Sequence, residues 1–142
     1  LVFGLQNADV TYDLVHGWDH ADSILDHIKT NSRQGVIDIY RVALGGAPHC
    51  GIIRATRPGD GAILGSVVIY NGRATLAEHM PALKSTQVLA GGISSPVISP
   101  SVGEYATVMQ GLVLLGIKQI RKQGAEAVIM DSVSDKSIWL VQ

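Results

Sequence analysis

The spacing of apolar positions along the 142-residue chain changes several times, and each change predicts an element. Val10 to Val15 fits a first strand. Asp19 can then cap a helix in which Ala21, Ile24, Leu25 and Ile28 recur at i, i+3, i+4 and i+7 and so form one buried stripe. Asn31, Ser32 and Gly35 break that helix. Val36, Ile37, Tyr40, Ala43 and Leu44 make a second short helical stripe, stopped by Gly45-Gly46, a left-handed terminator. Apolar runs from Gly51 to Thr56 and from Ala62 to Tyr70 flank Arg-Pro-Gly-Asp-Gly. Pro58 presets a turn there and Gly59 or Gly61 supplies positive φ, so an antiparallel hairpin is expected.

Asn71-Gly72 reads as a turn, and Pro81 limits any helix formed by Leu76, Ala77, Met80 and Leu83, so 71–87 is expected to be an inserted flap. Val88 to Ser99 returns to strand character. Gly91-Gly92 predict a bulge in it, and Pro96 cannot donate to a ladder, so this strand must splay from a neighbour. Thr107 and Gln110 form an S/T-x-x-E/Q capping box for a helix running through Leu112, Leu115 and Ile120 to Gly124. Lys118, Arg121 and Lys122 suit the negative end of that helix. Gly111 and Gly116 each cost about 1 kcal/mol relative to Ala inside a helix, which a close approach to the sheet would compensate. Ala125 to Met130 is apolar throughout, the mark of a strand covered on both faces. Together these elements predict a right-handed strand, crossover helix and parallel strand. A strand running into a helix whose first amides are open is a ready site for a phosphate-bearing cofactor.

Composition narrows the reading. At 46% hydrophobic and 16% charged, the chain fits one domain over 1–142 with a single core. Eleven basic and twelve acidic residues give a net charge of −1 with no basic stripe, which leaves no electrostatic footprint for nucleic acid or an anionic membrane. No apolar run reaches the roughly 18 residues of a spanning helix. The chain opens on Leu-Val-Phe-Gly-Leu, without an initiator Met or a secretory-signal pattern, and is expected to be part of a longer product. Cys50 is alone and reads as a small buried residue, which is compatible with a reducing, cytoplasmic compartment. His16 and His20 lie four apart beside Asp19 and His27, but Gly17 and the cap at Asp19 put His16 outside the helix, so no metal site is expected. Gly111 to Lys118 mimics a phosphate loop without its Lys-Ser or Lys-Thr and with its glycines inside a helix, so it is rejected. Trp18 and Trp139 read as packing anchors.

The order strand, two helices, hairpin, bulged strand, turn, helix and strand resembles the GNAT superfamily of acetyl-CoA-dependent N-acetyltransferases over residues 10–131. The likeness is sharpest from Gly91-Gly92-Ile-Ser-Ser-Pro-Val-Ile-Ser-Pro to Gln110. That segment, with Gly-Ile-Lys-Gln-Ile-Arg-Lys-Gln-Gly further on, is also similar to GNAT modules of fungal chains accompanying family-3 glycoside hydrolases. The resemblance implies an α/β (α+β) fold with a mixed, mostly antiparallel twisted sheet and splayed central parallel strands. It implies acetyl-CoA as cofactor. By position, Val97, Ile98 and Ser99 would offer backbone to the pantetheine arm. Val102, Gly103, Glu104, Tyr105, Ala106, Thr107 and Val108 would aim amides at the pyrophosphate, with Thr107 as the cap.

The sequence departs from the family pattern in two places. The turn keeps only Gly103 and carries Glu104, a negative charge near a polyanion. After Asp131 only Ser132 to Gln142 follow, in which Ser-Ile-Trp-Leu-Val can form one strand but not a helix and a strand pair, so the C-terminal elements look incomplete. An open sheet edge there predicts a homodimer or another edge-paired assembly.

Direct acetyl transfer needs a deprotonated amine, a polarised thioester carbonyl and an acid for the leaving thiolate. Glu78 and His79 on the flap are the acid–base candidates, with a solvated loop pair as the alternative. Backbone amides near Ile93 to Ser95 would polarise the carbonyl. Asp131, at the end of a parallel strand, is placed to contact acceptor or cofactor or simply to form a turn. Tyr105 and Tyr70 are candidates for the thiolate acid. The expected function is N-acetylation of a small-molecule primary amine, an amino sugar such as glucosamine on the glycosidase likeness. The alternative is a non-catalytic module that keeps the fold for binding or assembly.

Overall fold

The computed structural model describes residues 2–3, 10–15, 21–31, 40, 50–75, 89–94, 96–99, 105–131 and 136–140. Its elements in chain order are β1 (Val2–Phe3), β2 (Thr11–Val15), α1 (Ala21–Asn31), β3 (Cys50–Thr56), β4 (Ile63–Thr75), β5 (Leu89–Ile93), β6 (Val97–Ile98), α2 (Tyr105–Lys122), β7 (Ala127–Asp131) and β8 (Lys136–Leu140). The strands form one sheet in the order β1-β2-β3-β4-β5-β7-β8, with β6 held on β4. Every pairing is antiparallel except β5 with β7. The mixed, mostly antiparallel α/β sheet expected from the sequence is therefore the architecture observed.

Alternating side chains divide the core between the two faces of the sheet. Tyr12, Ile53, Val67, Ile93 and Ile98 pack with Val108, Leu112, Leu115 and Ile120 of α2. Val15, Ile52, Val68 and Val97 pack with Ile24 and Ile28 of α1 and with Tyr40. Ile24 and Ile28 are the stripe expected for the first helix, and both are fully buried. Of the second helical stripe only Tyr40 is among the described residues; it is helical and completely buried.

The hairpin forms as expected, from Cys50↔Tyr70 at one end to Thr56↔Ile63 at the turn. Gly61, at φ 70°, supplies the left-handed residue. Asp60 accepts the Ala62 N–H at 3.1 Å and Arg57 at 3.0 Å, which closes the turn. Across β2 and β3, Arg54 forks onto Asp13 at 2.8 and 2.9 Å, and this directly opposed pair fixes the register.

Three local expectations are corrected. Asn71-Gly72 does not reverse the chain, because β4 runs on to Thr75 and pairs Ala74 and Thr75 with Ala90 and Leu89. The irregularity expected at Gly91-Gly92 sits across the ladder in β4, where the register shifts between Tyr70, opposite Gly92, and Ala74, opposite Ala90. Gly91 and Gly92 themselves stay in regular parallel register with Val128 and Ile129. Gly92 is glycine because a Cβ there would run into the ring of Tyr70. Finally, α2 begins at Tyr105, so Thr107 lies inside its first turn and is not the cap. The apolar stripe that marks a helix starts only at Val108, since residues 105–107 are exposed, and the preceding turn leaves no periodic signal.

The crossover helix lies close on the sheet, and Gly111 and Gly116 are where it touches. A Cβ at Gly111 would come within 2.8 Å of Tyr12 Cε1 and collide with the rest of the phenol end, whereas one at Gly116 would lie 2.9 Å from Ile93 Cδ1, the flexible tip of a side chain. Ala is otherwise favoured over Gly in a helix by about 1 kcal/mol, so the contact decides the sign. Gly111→Ala is expected to destabilise the fold by about 1–3 kcal/mol, because the Tyr12 ring is itself buried. Gly116→Ala is expected to be close to neutral. Denaturant midpoints of the two variants check this, and a Gly111→Ala midpoint equal to or above that of the parent would contradict the close approach.

Candidate functional site

The parallel ladder between β5 and β7 runs from Ala90↔Ala127 to Ile93↔Met130 and stops. Beyond it the chain turns through Ser94 and Pro96 into β6, which pairs with β4 through Gly65↔Ile98 and Ser66↔Val97. The strand thus keeps its antiparallel neighbour, while its pairing with β7 ends at Ile93↔Met130, one residue before β7 itself ends. Asp131 follows the last residue of β7 paired with β5 and is itself paired with Lys136 of β8.

Hydrogen bonding fixes which groups face away from β4. Ser99 N–H donates to Leu64 O at 3.0 Å. Backbone groups alternate in direction along a strand, so the N–H and C=O of Ile98 point away from β4. Ser94 N–H is likewise taken by Val68 O at 2.9 Å. The expectation that amides from Ile93 to Ser95 polarise a thioester carbonyl is therefore corrected at Ser94, whose amide is already engaged. Ser95 lies outside the described residues.

α2 starts beside β6. A Cβ on Gly65 would meet Ile98 and Val108 side-chain atoms at 3.1 Å each, which places the first turns of the helix directly over the β4–β6 pair. Tyr12 donates its phenol to Thr107 O at 3.4 Å and ties that first turn to β2. Tyr105 is 46% exposed, and Ala106 and Thr107 are exposed with it. The first amides of an α-helix lack intrahelical partners and carry the positive end of its dipole. Of the sequence-predicted residues, Val97, Ile98 and Ser99 lie in and directly after β6, Tyr105, Ala106, Thr107 and Val108 form the first turn of α2, and Asp131 ends β7. Val102, Gly103 and Glu104, and the acid–base candidates Glu78 and His79, lie outside the described residues.

Sequence reasoning did not single out the polar groups under α1. Tyr40 and Ser66 share a hydrogen bond of 2.8 Å, both fully buried. Ser94 Oγ accepts the Val68 N–H at 2.8 Å. Burial pushes the Tyr40 phenol far up, against the opposing effect of hydrogen bonds with Ser66 and Ser94, so it stays protonated. His27, on the same face, places Nε2 at 3.3 Å from Val97 O and Nδ1 at 3.4 Å from Ser99 Oγ. Among the described residues no group of three or more His, Cys, Asp or Glu gathers to hold a metal, and no helix is long and apolar enough to cross a membrane.

A mixed sheet with a splayed parallel pair and a crossover helix starting at the splay defines the fold of the GNAT acetyltransferases. The sequence matches no family model and no curated relative. Solved structures do match. The chain is similar to a ribosomal-protein-alanine N-acetyltransferase from Brucella melitensis biovar Abortus 2308, at 15% identity, over 86% of this chain and 79% of that one, with a TM-score of 0.60. It is similar to a Trypanosoma brucei acetyltransferase at 17% identity, over 87% and 83% of the two chains, with a TM-score of 0.60. It is also similar to a chain of the NatC complex bound to Gag peptide and CoA, at 16% identity, over 89% and 77%, with a TM-score of 0.62. At such identities the likeness is one of fold.

Burial lowers the His27 pKa, with the Val97 carbonyl working in the opposite direction. The unfolded chain, with an imidazole near about 6.5, then binds a proton more readily than the folded one. This contribution is complete above that pH and is lost as pH falls below it, at no more than about 1.4 kcal/mol per pH unit for one proton. Stability is therefore expected to fall between about pH 7 and 5 and to fall less steeply in His27→Gln. Denaturant midpoints over that range check it, and equal slopes in the two proteins would contradict it.

Proposed function

We propose that this chain is an acetyltransferase that binds acetyl-CoA in the opening between β6 and β7 and transfers the acetyl group to a primary amine of a small molecule. The observation that carries this reading is the coincidence of two features. Ile98 presents backbone donor and acceptor to the opening, and the exposed first turn of α2 starts beside the same strand. A pantetheine arm carries amides that suit the first, and a pyrophosphate suits the second. The NatC complex, one chain of which this chain resembles, is bound to CoA, which agrees with this reading.

In the proposed reaction the amine nitrogen attacks the thioester carbonyl carbon in a ternary complex. The C–N bond forms, the C–S bond breaks, the amine's proton passes to a base, and the thiolate takes a proton from an acid. Glu78 and His79 are our candidates for the base and its partner. Tyr105, at the start of α2, and Tyr70, whose ring covers Gly92 two residues from the splay, are the candidates for the acid. The glycosidase-associated likeness makes glucosamine the first acceptor to try. The Brucella and NatC names concern a ribosomal protein and a peptide, so a peptide N-terminus is the second.

The non-catalytic alternative draws on the turn before α2, where Gly103 is the lone glycine and Glu104 would stand near the phosphates. Calorimetric titration with acetyl-CoA, and with ATP as the control for generic phosphate binding, separates the readings. Micromolar binding of acetyl-CoA with no heat from ATP is expected. Turnover of glucosamine that falls when Glu78 and His79 are replaced would assign the base. No heat with either nucleotide would leave a module without the cofactor site.

A further inference from the structure

β6 is two residues long, preceded by a proline, and bound to one neighbouring strand, so its ladder alone gives it few bonds. A buried imidazole supplies more. His27 stands between Ile24 and Ile28 on the buried face of α1, where an apolar residue would complete the stripe. Its two nitrogens instead reach Val97 O and Ser99 Oγ, the residues on either side of Ile98. A carbonyl only accepts, so Nε2 carries the proton. The neutral ring then accepts the Ser99 hydroxyl proton at Nδ1. Burial, which disfavours the charged ring, supports this neutral form.

We propose that His27 is a positioning residue for the cofactor arm: by holding Val97 and Ser99 it fixes the N–H and C=O of Ile98 on the side of β6 away from β4. The role rests on the acetyl-CoA reading given above. It touches one end of the ligand. A fragment that carries the pyrophosphate without the arm, such as ADP, engages the start of α2 and not Ile98, and so does not sense His27.

The test is calorimetric affinity for acetyl-CoA and for ADP in the parent chain and in Ser99→Ala, His27→Leu and His27→Gln, each with its thermal midpoint. Ser99→Ala removes one bond of the pair and is expected to weaken acetyl-CoA about 3-fold or more, and His27→Leu, which removes both, about 10-fold or more. His27→Gln keeps one donor and one acceptor at the spacing of the imidazole nitrogens and is expected to stay within about 3-fold of the parent. ADP affinity is expected to be the same in all four proteins. Ser99→Ala decides the matter if His27→Leu does not fold. Parent-like acetyl-CoA affinity in folded Ser99→Ala, or equal losses for acetyl-CoA and ADP, overturns the positioning role while leaving the cofactor reading in place. A parent chain that gives no heat with acetyl-CoA overturns both.

Discussion

The arrangement depends on one constraint, which is that the chain stays on β4 through β5 and β6 after its pairing with β7 has ended at Ile93. Pro96 has no N–H to give, so the strand cannot keep a full set of ladder bonds through this point. The break would strand buried backbone groups on β4 unless something else met them. Ser94 meets them. Its N–H goes to Val68 O, and its hydroxyl takes the Val68 N–H where a regular antiparallel pair would use a carbonyl. Three residues later β6 picks up the ladder at Ser66 and Gly65. β4 therefore guides the strand across its own interruption and leaves the N–H and C=O of Ile98 on the other side.

The two faces of the sheet then serve this stretch differently. On one face α2 lies close through glycine contacts with Tyr12 and Ile93, and its first turns lie over the β4–β6 pair. On the other face α1 and Tyr40 bring polar groups into an otherwise apolar layer. Each of these is paired: Tyr40 with Ser66, Ser94 with Val68, and His27 with Val97 and Ser99. Buried polar groups without partners would cost about 1–3 kcal/mol apiece. Satisfied ones instead specify a conformation, and here they specify the conformation of the stretch from Ser94 to Ser99.

What the sequence disclosed was what short-range chemistry decides. The hairpin at Pro58 to Gly61, the first helix with Ile24 and Ile28, and the crossover helix with its two glycines against the sheet all follow from periodicity and turn residues. The errors fall where two local meanings compete and only a distant partner chooses. A glycine in a strand marks either a bulge or a close approach, and Tyr70, in the neighbouring strand, makes Gly92 the second. Asn-Gly favours a turn, yet β4 extends through Asn71-Gly72 because Ala74 and Thr75 find partners in β5. His27 enters the sequence reading only beside His16, Asp19 and His20 in a metal set that is set aside, and nothing within its own turn points to Val97 and Ser99, about seventy residues away.

A site of this kind asks little of side-chain identity. The groups the proposed site would use are backbone N–H and C=O, which every residue but proline carries in full, and the first amides of a helix. The requirements fall on residues that shape the backbone: a proline to end the ladder, a hydroxyl to patch it, glycines where helix and sheet touch, and polar side chains that hold a two-residue strand still. Such positions are few and scattered, and different residues can meet the same need. A fold that is shared at a TM-score of 0.60 with 15% identity, in a sequence that matches no family model, is the expected result of that division. The geometry is held by constraints on the main chain, and the sequence around it is left free to vary.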